Sequence, residues 1–145
     1  MSRPYRLAGL LRLRRLQEDQ AAADLATANA ARRAALVRQS RSDDALADHD
    51  FDPATDVGAW RSAVAIRASL RSLAVESAAA SSMAATEVHQ REMAWADARR
   101  RAVPLEKLAE RHEEAEMIED LRQEQIVLDE IASRGPARDT LEVEL

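Results

Sequence analysis

Side chains able to hold a metal or move a proton gather at two places in this chain. The first is Asp48-His49-Asp50-Phe51-Asp52, where acids alternate as they do at positions 1, 3 and 5 of a calcium loop. Such a loop needs a sharply turning glycine at position 6 and a bidentate glutamate at position 12, and here those places hold Pro53 and Ala59. A solvated acidic turn is the better reading. The second place is His112 with Glu113 and Glu116, which an acidic helix face explains more simply than a metal. His49, His89 and His112 are far apart, and none has a second His at ligand spacing or an H-E-x-x-H pattern around it. Cysteine is absent, so disulfides and thiolate metal sites are excluded. There is neither a glycine-rich phosphate loop nor a nucleophile on a strand-to-helix elbow. A chain of exposed helices also has no cleft in which to exclude water or shift a pKa. The expectation is a protein that is not an enzyme, with no catalytic residues, no metal site and no cofactor.

The elements that carry these side chains are helical. Alanine accounts for 31 of the 145 residues and aromatics for only 3%, so a wide globular core would have few large side chains to fill it. Ala, Leu, Glu, Gln and Arg are strong helix formers, and only three glycines interrupt them. Such a composition with apolar periodicity marks long helices and coiled coils. The main interruption spans residues 42–58, SDDALADHDFDPATDVG, with six aspartates, Pro53 and Gly58. Asp and Gly are poor in helix interiors, and proline both lacks a donor and clashes with the preceding turn.

The reading that follows is all-α: two long helices in an antiparallel coiled-coil hairpin, with an overhanging C-terminal helix. Helix 1 covers about residues 4–42, with Pro4 in its first turn, and an acidic turn covers 43–56. Helix 2 covers about 53–134, with Asp52 as N-cap and Pro53 at the first helical position. Pro104 is a candidate kink or break, Gly135-Pro136 the stop signal, and 135–145 a flexible tail.

Charge-free stripes at 3-4 spacing identify the expected seam. On helix 1 the stripe is Leu13, Leu16, Gln20, Ala23, Thr27, Ala30, Ala34 and Val37. On helix 2 it is Ala59, Ala63, Ile66, Leu70, Leu73, Ser77, Ala80 and Ala84. A turn centred near residue 50 pairs positions whose numbers add to about 100, which sets Trp95 opposite Tyr5 and Leu7. Helix 2 would then be on the order of 120 Å long at the rise of an α-helix and helix 1 about half that, leaving the acidic end of helix 2 without a partner. That end has its own stripe of Ile118, Leu121, Gln125, Leu128 and Ala132.

Charge is polarised although the net value is only −5. Residues 1–41 carry +6, the break to Trp60 −6, residues 61–104 +3 and residues 105–145 −8. The acid-free start from Arg3 to Arg15 raises a membrane-surface helix as a rival, but Leu7 and Leu11 point nearly opposite to Leu13 and Leu16, and an interfacial helix needs one apolar face. Leu7 and Leu11 are therefore either offered to a partner or buried in a short bundle. Nucleic-acid binding through this stretch and Arg99-Arg100-Arg101 would need a stronger basic excess and aromatic stacking. No 18-residue uncharged run and no signal-peptide pattern occur, so a cytoplasmic protein is expected.

The two chain ends carry a family resemblance. YRLAGLLRLRRLQEDQAAADLATA, beginning at Tyr5, resembles the N-terminal helix of the flagellar export protein FliJ family. LEKLAERHEEAEMIEDLRQEQIVLDEIASR, beginning at Leu105, is similar to that family's C-terminal helix: Glu106, Lys107, Leu108 and Arg111 follow at its start, and Gln125, Leu128, Asp129, Glu130, Ile131 and Arg134 lie towards its end. The middle departs from the family pattern, with fewer large apolar residues and tyrosines, and Pro104 stands just ahead of the C-terminal motif. The resemblance implies a non-enzymatic coiled-coil stalk of the flagellar type III export apparatus, serving protein transport, flagellum biogenesis, motility and chemotaxis. Its implied partners are the hexameric export ATPase, the export gate membrane protein and export chaperones. Its implied location is the cytoplasmic face of the flagellar basal body, touching membrane only through partners. On that reading Leu105, Leu108, Arg111, Leu121, Gln125, Leu128, Asp129 and Ile131 meet the ATPase, while Leu7 and Leu11 meet another partner. A generic coiled-coil scaffold or adaptor is the alternative, and a nucleic-acid or membrane-surface helix the remote one.

Overall fold

The computed structural model describes residues 4–50 and 56–135. These form two helices, α1 (Ala8–Ala47) and α2 (Val57–Ser133), packed against each other as a helical hairpin. Helix α1 begins four residues later than its sequence suggests, after a turn in which the Ala8 amide donates to the Tyr5 carbonyl at 3.1 Å. It also runs five residues further, through Asp43 and Asp44. An interior aspartate costs at most about 0.7 kcal/mol, and here the same turns carry buried Ser42 and half-buried Leu46 into the interface.

Helix α2 starts at Val57 rather than at Pro53. Its N-cap is Asp56, whose Oδ1 accepts from the Ala59 amide at 2.8 Å. The caps expected at Asp52 and Pro53 lie outside the described residues, as do Phe51, Pro136 and the tail. Pro104 sits inside α2, so the Arg100 carbonyl lacks its usual amide partner.

The chain divides into two compact units, residues 13–102 and residues 1–12 with 103–145. In the first, the seam is built from small side chains: Ala28 and Ala35 from α1 and Ala74, Ser81, Val88 and Ala102 from α2 are buried. Its spacing is regular. On α1 the buried and half-buried positions include 14, 18, 21, 25, 28, 35, 39, 42 and 46, and on α2 70, 74, 77, 81, 84, 88, 95, 98 and 102. These are 3-4 repeats, the pattern of a two-helix seam.

They are not, however, the stripes that lack charge. All eight members of the expected α1 stripe are exposed, with Leu13 at 49% and Leu16 at 60%. The α1 seam lies on another face and contains Arg14 and Glu18. Long charged side chains serve there because their stems cover the interface while their heads reach out of it. Arg99 Nη1 lies 3.2 Å from Glu18 Oε1, and Arg91 bridges Glu87 at 2.7 Å and Asp24 at 3.5 Å. Bonding to Glu87 first, and then its charge, raises the Arg91 pKa above the usual arginine value. On α2 the expected stripe is half correct: Ala59, Ala63, Leu70, Ser77 and Ala84 are half-buried, while Ile66, Leu73 and Ala80 are exposed.

The pairing register also differs. The cross-helix contacts Asp24–Arg91, Glu18–Arg99 and His49–Arg67 join positions whose numbers add to about 115 to 117, not 100. The cause is the late start of α2. His49 already faces its second and third turns, with the ring nitrogen Nε2 3.4 Å from the Ala63 carbonyl and the His49 carbonyl accepting from Arg67 at 3.4 Å. Trp95 accordingly faces the α1 region near Glu18 and packs against Arg99, whose guanidinium lies 5.9 Å from its ring centre, rather than meeting Tyr5.

A candidate docking surface on the second helix

In the other unit, the start of the chain covers α2 only in part. The Tyr5 hydroxyl donates to the Leu105 carbonyl at 3.5 Å, and its ring lies 5.5 Å from that of His112, tilted by 53°. Leu11 is buried at 8% exposure, and Leu105, Ala109, His112 and Glu116 are half-buried at 3-4 spacing. From Met117 to Gly135 every residue is exposed. Seven large apolar side chains therefore stand uncovered: Met117, Ile118, Leu121, Ile126, Val127, Leu128 and Ile131, each 54–67% exposed.

Periodicity arranges them. Leu121, Gln125 and Leu128 share one face at 4-3 spacing, and the Gln125 amide donates to Asp129 Oδ1 at 3.1 Å, closing one edge of it. A groove of about 540 Å³ lies where the covered part ends, lined among others by Tyr5, His112, Met117 and Leu121. A second, also about 540 Å³, is lined by Asp120, Gln123, Glu124, Val127 and Leu128. Residues 105–135 carry ten acids and four basic groups, so the apolar face is set in negative charge. Salt-screened attraction to a basic surface, followed by burial of the leucines, is the chemistry this arrangement can perform.

Of the residues expected to meet a partner, Leu108 (44% exposed), Arg111, Leu121, Gln125, Leu128, Asp129 and Ile131 are all on the surface. Leu105 is half-buried and bonded through its carbonyl to Tyr5, so it holds the unit together. The N-terminal leucines separate: Leu7 is 38% exposed, whereas Leu11 is buried. Roles are thus exchanged with Leu13 and Leu16, which the stripe assigned to the seam and which are open. Met117, Ile126 and Val127 lie outside the expected stripe and join this surface; their signal in the sequence is the run of large apolar residues beyond the reach of the first helix. Among the described residues, no group of three or more His, Cys, Asp or Glu could hold a metal. None of their helices is long and apolar enough to cross a membrane.

Two helices meeting along a small-residue seam, one of them continuing bare, define a coiled-coil hairpin protein. The chain belongs to the flagellar FliJ protein family: the model for that family, described as Flagellar FliJ protein, matches residues 2–140. Membership makes it a coiled-coil protein of flagellar export and biogenesis. Comparison with curated proteins gives no match, and neither does comparison with solved structures.

Proposed function

We propose that this chain is a non-enzymatic stalk of the flagellar type III export apparatus, acting at the cytoplasmic face of the basal body. It binds the hexameric export ATPase through the bare stretch of α2, centred on Leu121, Gln125 and Leu128, with Leu108, Arg111, Asp129 and Ile131 around them. The hairpin then links the ring to the export gate membrane protein and to export chaperones, with Leu7 among the exposed apolar residues at the N-terminal end. The observation that carries this reading is the face of large apolar side chains beyond Glu116, which no helix among the described residues covers. A partner that buries such a face in only one conformation of its subunits shifts their populations towards that conformation. Stimulation of the ATPase needs no further chemistry from the stalk. The test is the hydrolysis rate and assembly state of the cognate export ATPase with and without the full-length chain. Stimulation that disappears in Leu121→Glu/Leu128→Glu supports the proposal; an ATPase that neither binds nor responds to the wild-type chain ends it.

A further inference from the structure

The stripe from Leu13 to Val37 lies on the outer side of α1, opposite the seam, and is exposed throughout. It repeats at 3-4 spacing for 25 residues without a charge, so it has the pattern of a second seam, and no helix among the described residues lies against it. We propose that its occupant is a second copy of this chain, laid antiparallel across the same face of α1 about a two-fold axis near residue 25.

Side-chain size supports this pairing. Large groups sit at the two ends, Leu13 and Leu16 at one and Val37 at the other, all 49–60% exposed, and the positions between are Gln20, Ala23, Thr27, Ala30 and Ala34. An antiparallel match sets Leu13 of each copy beside Val37 of the other, so large ends meet large ends and the small centres let the backbones approach. Charge selects the direction. On one flank of the stripe stand Asp19 and Arg33, on the other Asp24 and Arg38. Antiparallel pairing brings Asp19 against Arg33 of the second copy, twice per dimer. Parallel pairing would instead bring Asp19 against Asp24 and Arg33 against Arg38, like charge on like. Such flanking pairs set partner choice and orientation in coiled coils. Asp24 of each copy already holds Arg91 of its own chain at 3.5 Å, which offsets the approach of the two Asp24 groups across the axis.

The patch is about 36 Å long at α-helical rise and about 10–12 Å wide, so the pair buries on the order of 800 Å² in total. That is about half a standard interface, and the dimer is accordingly weak and dependent on concentration.

Sedimentation equilibrium of the full-length chain, from about 1 to 500 µM, provides the test. The average mass is expected to climb from 16.1 kDa towards twice that value. Leu16→Glu, on an exposed position, is expected to abolish the rise without loss of helical circular dichroism. Asp19→Arg is expected to weaken association about tenfold, and Asp19→Arg/Arg33→Asp to restore it, since two exposed pairs are broken and remade. Because the natural chain has no cysteine, single cysteines report geometry directly: Ala26→Cys, next to the axis, is expected to give a disulfide-linked dimer and Ala30→Cys is not. A mass that stays at one chain throughout overturns the proposal, as does indifference to Leu16→Glu. Stronger association in Asp19→Arg, or cross-linking through Ala30→Cys instead of Ala26→Cys, overturns the antiparallel arrangement.

Discussion

The hairpin of residues 13–102 and the stretch of α2 from Met117 onward are both α-helical and both leave large apolar side chains exposed, Leu16 and Met83 in the one and Leu121 and Leu128 in the other, yet only the hairpin has a buried seam. The hairpin buries alanine, serine and one valine, with Ala35 at 2% and Val88 at 3% exposure. The bare stretch exposes leucine, isoleucine, valine and methionine, all above 50%. A hydrophobic side chain contributes roughly in proportion to the area it removes from water. The seam thus gains little per residue and depends on close approach of two backbones, whereas the bare stretch leaves its large apolar groups in water. On the proposed function, stability and binding are separated along the molecule, and substitutions can test that separation.

The largest expected effect falls on the bare stretch and on binding alone. Leu121→Glu/Leu128→Glu is expected to lower affinity for the export ATPase about thirtyfold or more, as loss of buried anchors does. Its unfolding free energy should stay within about 0.5 kcal/mol of wild type, because both positions are exposed. Titration calorimetry and urea denaturation read the two quantities separately, and a double variant that unfolds early would erase the contrast.

The converse change is Ala35→Leu. Ala35 is among the least exposed residues of the seam, and a larger side chain must push the helices apart, at a cost of about 1–3 kcal/mol. Here the denaturation midpoint should drop, while ATPase binding measured well below that midpoint should change little. If binding falls in step with stability, the two regions are not independent.

A smaller loss is expected at the turn. Asp56→Ala removes the carboxylate that accepts from the Ala59 amide and should cost about 1 kcal/mol, whereas Asp56→Asn should keep most of it. Equal loss in both variants would show that the charge, not the cap, matters there.

The smallest effect belongs to Arg91, which is exposed and links Glu87 and Asp24. Its pKa is raised, by the hydrogen bond to Glu87 first and by that carboxylate's charge second. A raised arginine contributes fully below its unfolded value and loses that contribution only as pH rises through the folded one. Both lie in strong alkali, so Arg91→Ala should leave the pH dependence of stability between pH 6 and 9 unchanged. It should instead reduce the sensitivity of the melting temperature to salt. A shifted pH profile in that window would show that another group depends on this bridge.

Much of this arrangement is legible in the residues. Two helices, the break between them and the uncovered acidic end follow from composition and from the placement of Asp, Pro and Gly. The face around Leu121, Gln125 and Leu128 is legible too, because large apolar residues in a charged helix stand out from their neighbours. The seam was less so. An alanine-rich helix carries several faces with no charge, and absence of charge was a poor guide once arginine and glutamate stems could lie along an interface with their heads outside it. Absence of charge puts Leu13 and Leu16 in the seam, whereas Arg14 and Glu18 occupy it. The sequence leaves Leu11 open or buried on equal terms, and only the structure places it inside, at 8% exposure.

The sequence by itself determined that the chain is helical, that it turns back once, and which family it belongs to, because helix propensity, breakers and terminal motifs are local properties. Tertiary structure alone decided which face of each helix is the seam and where the pairing register falls. The reason is physical: register is set by the sum of many small contacts between two alanine-rich surfaces that match almost equally well in several alignments. The choice among them rests on cross-helix partners such as Glu18 with Arg99 and Asp24 with Arg91, whose separation along the chain no local pattern reveals.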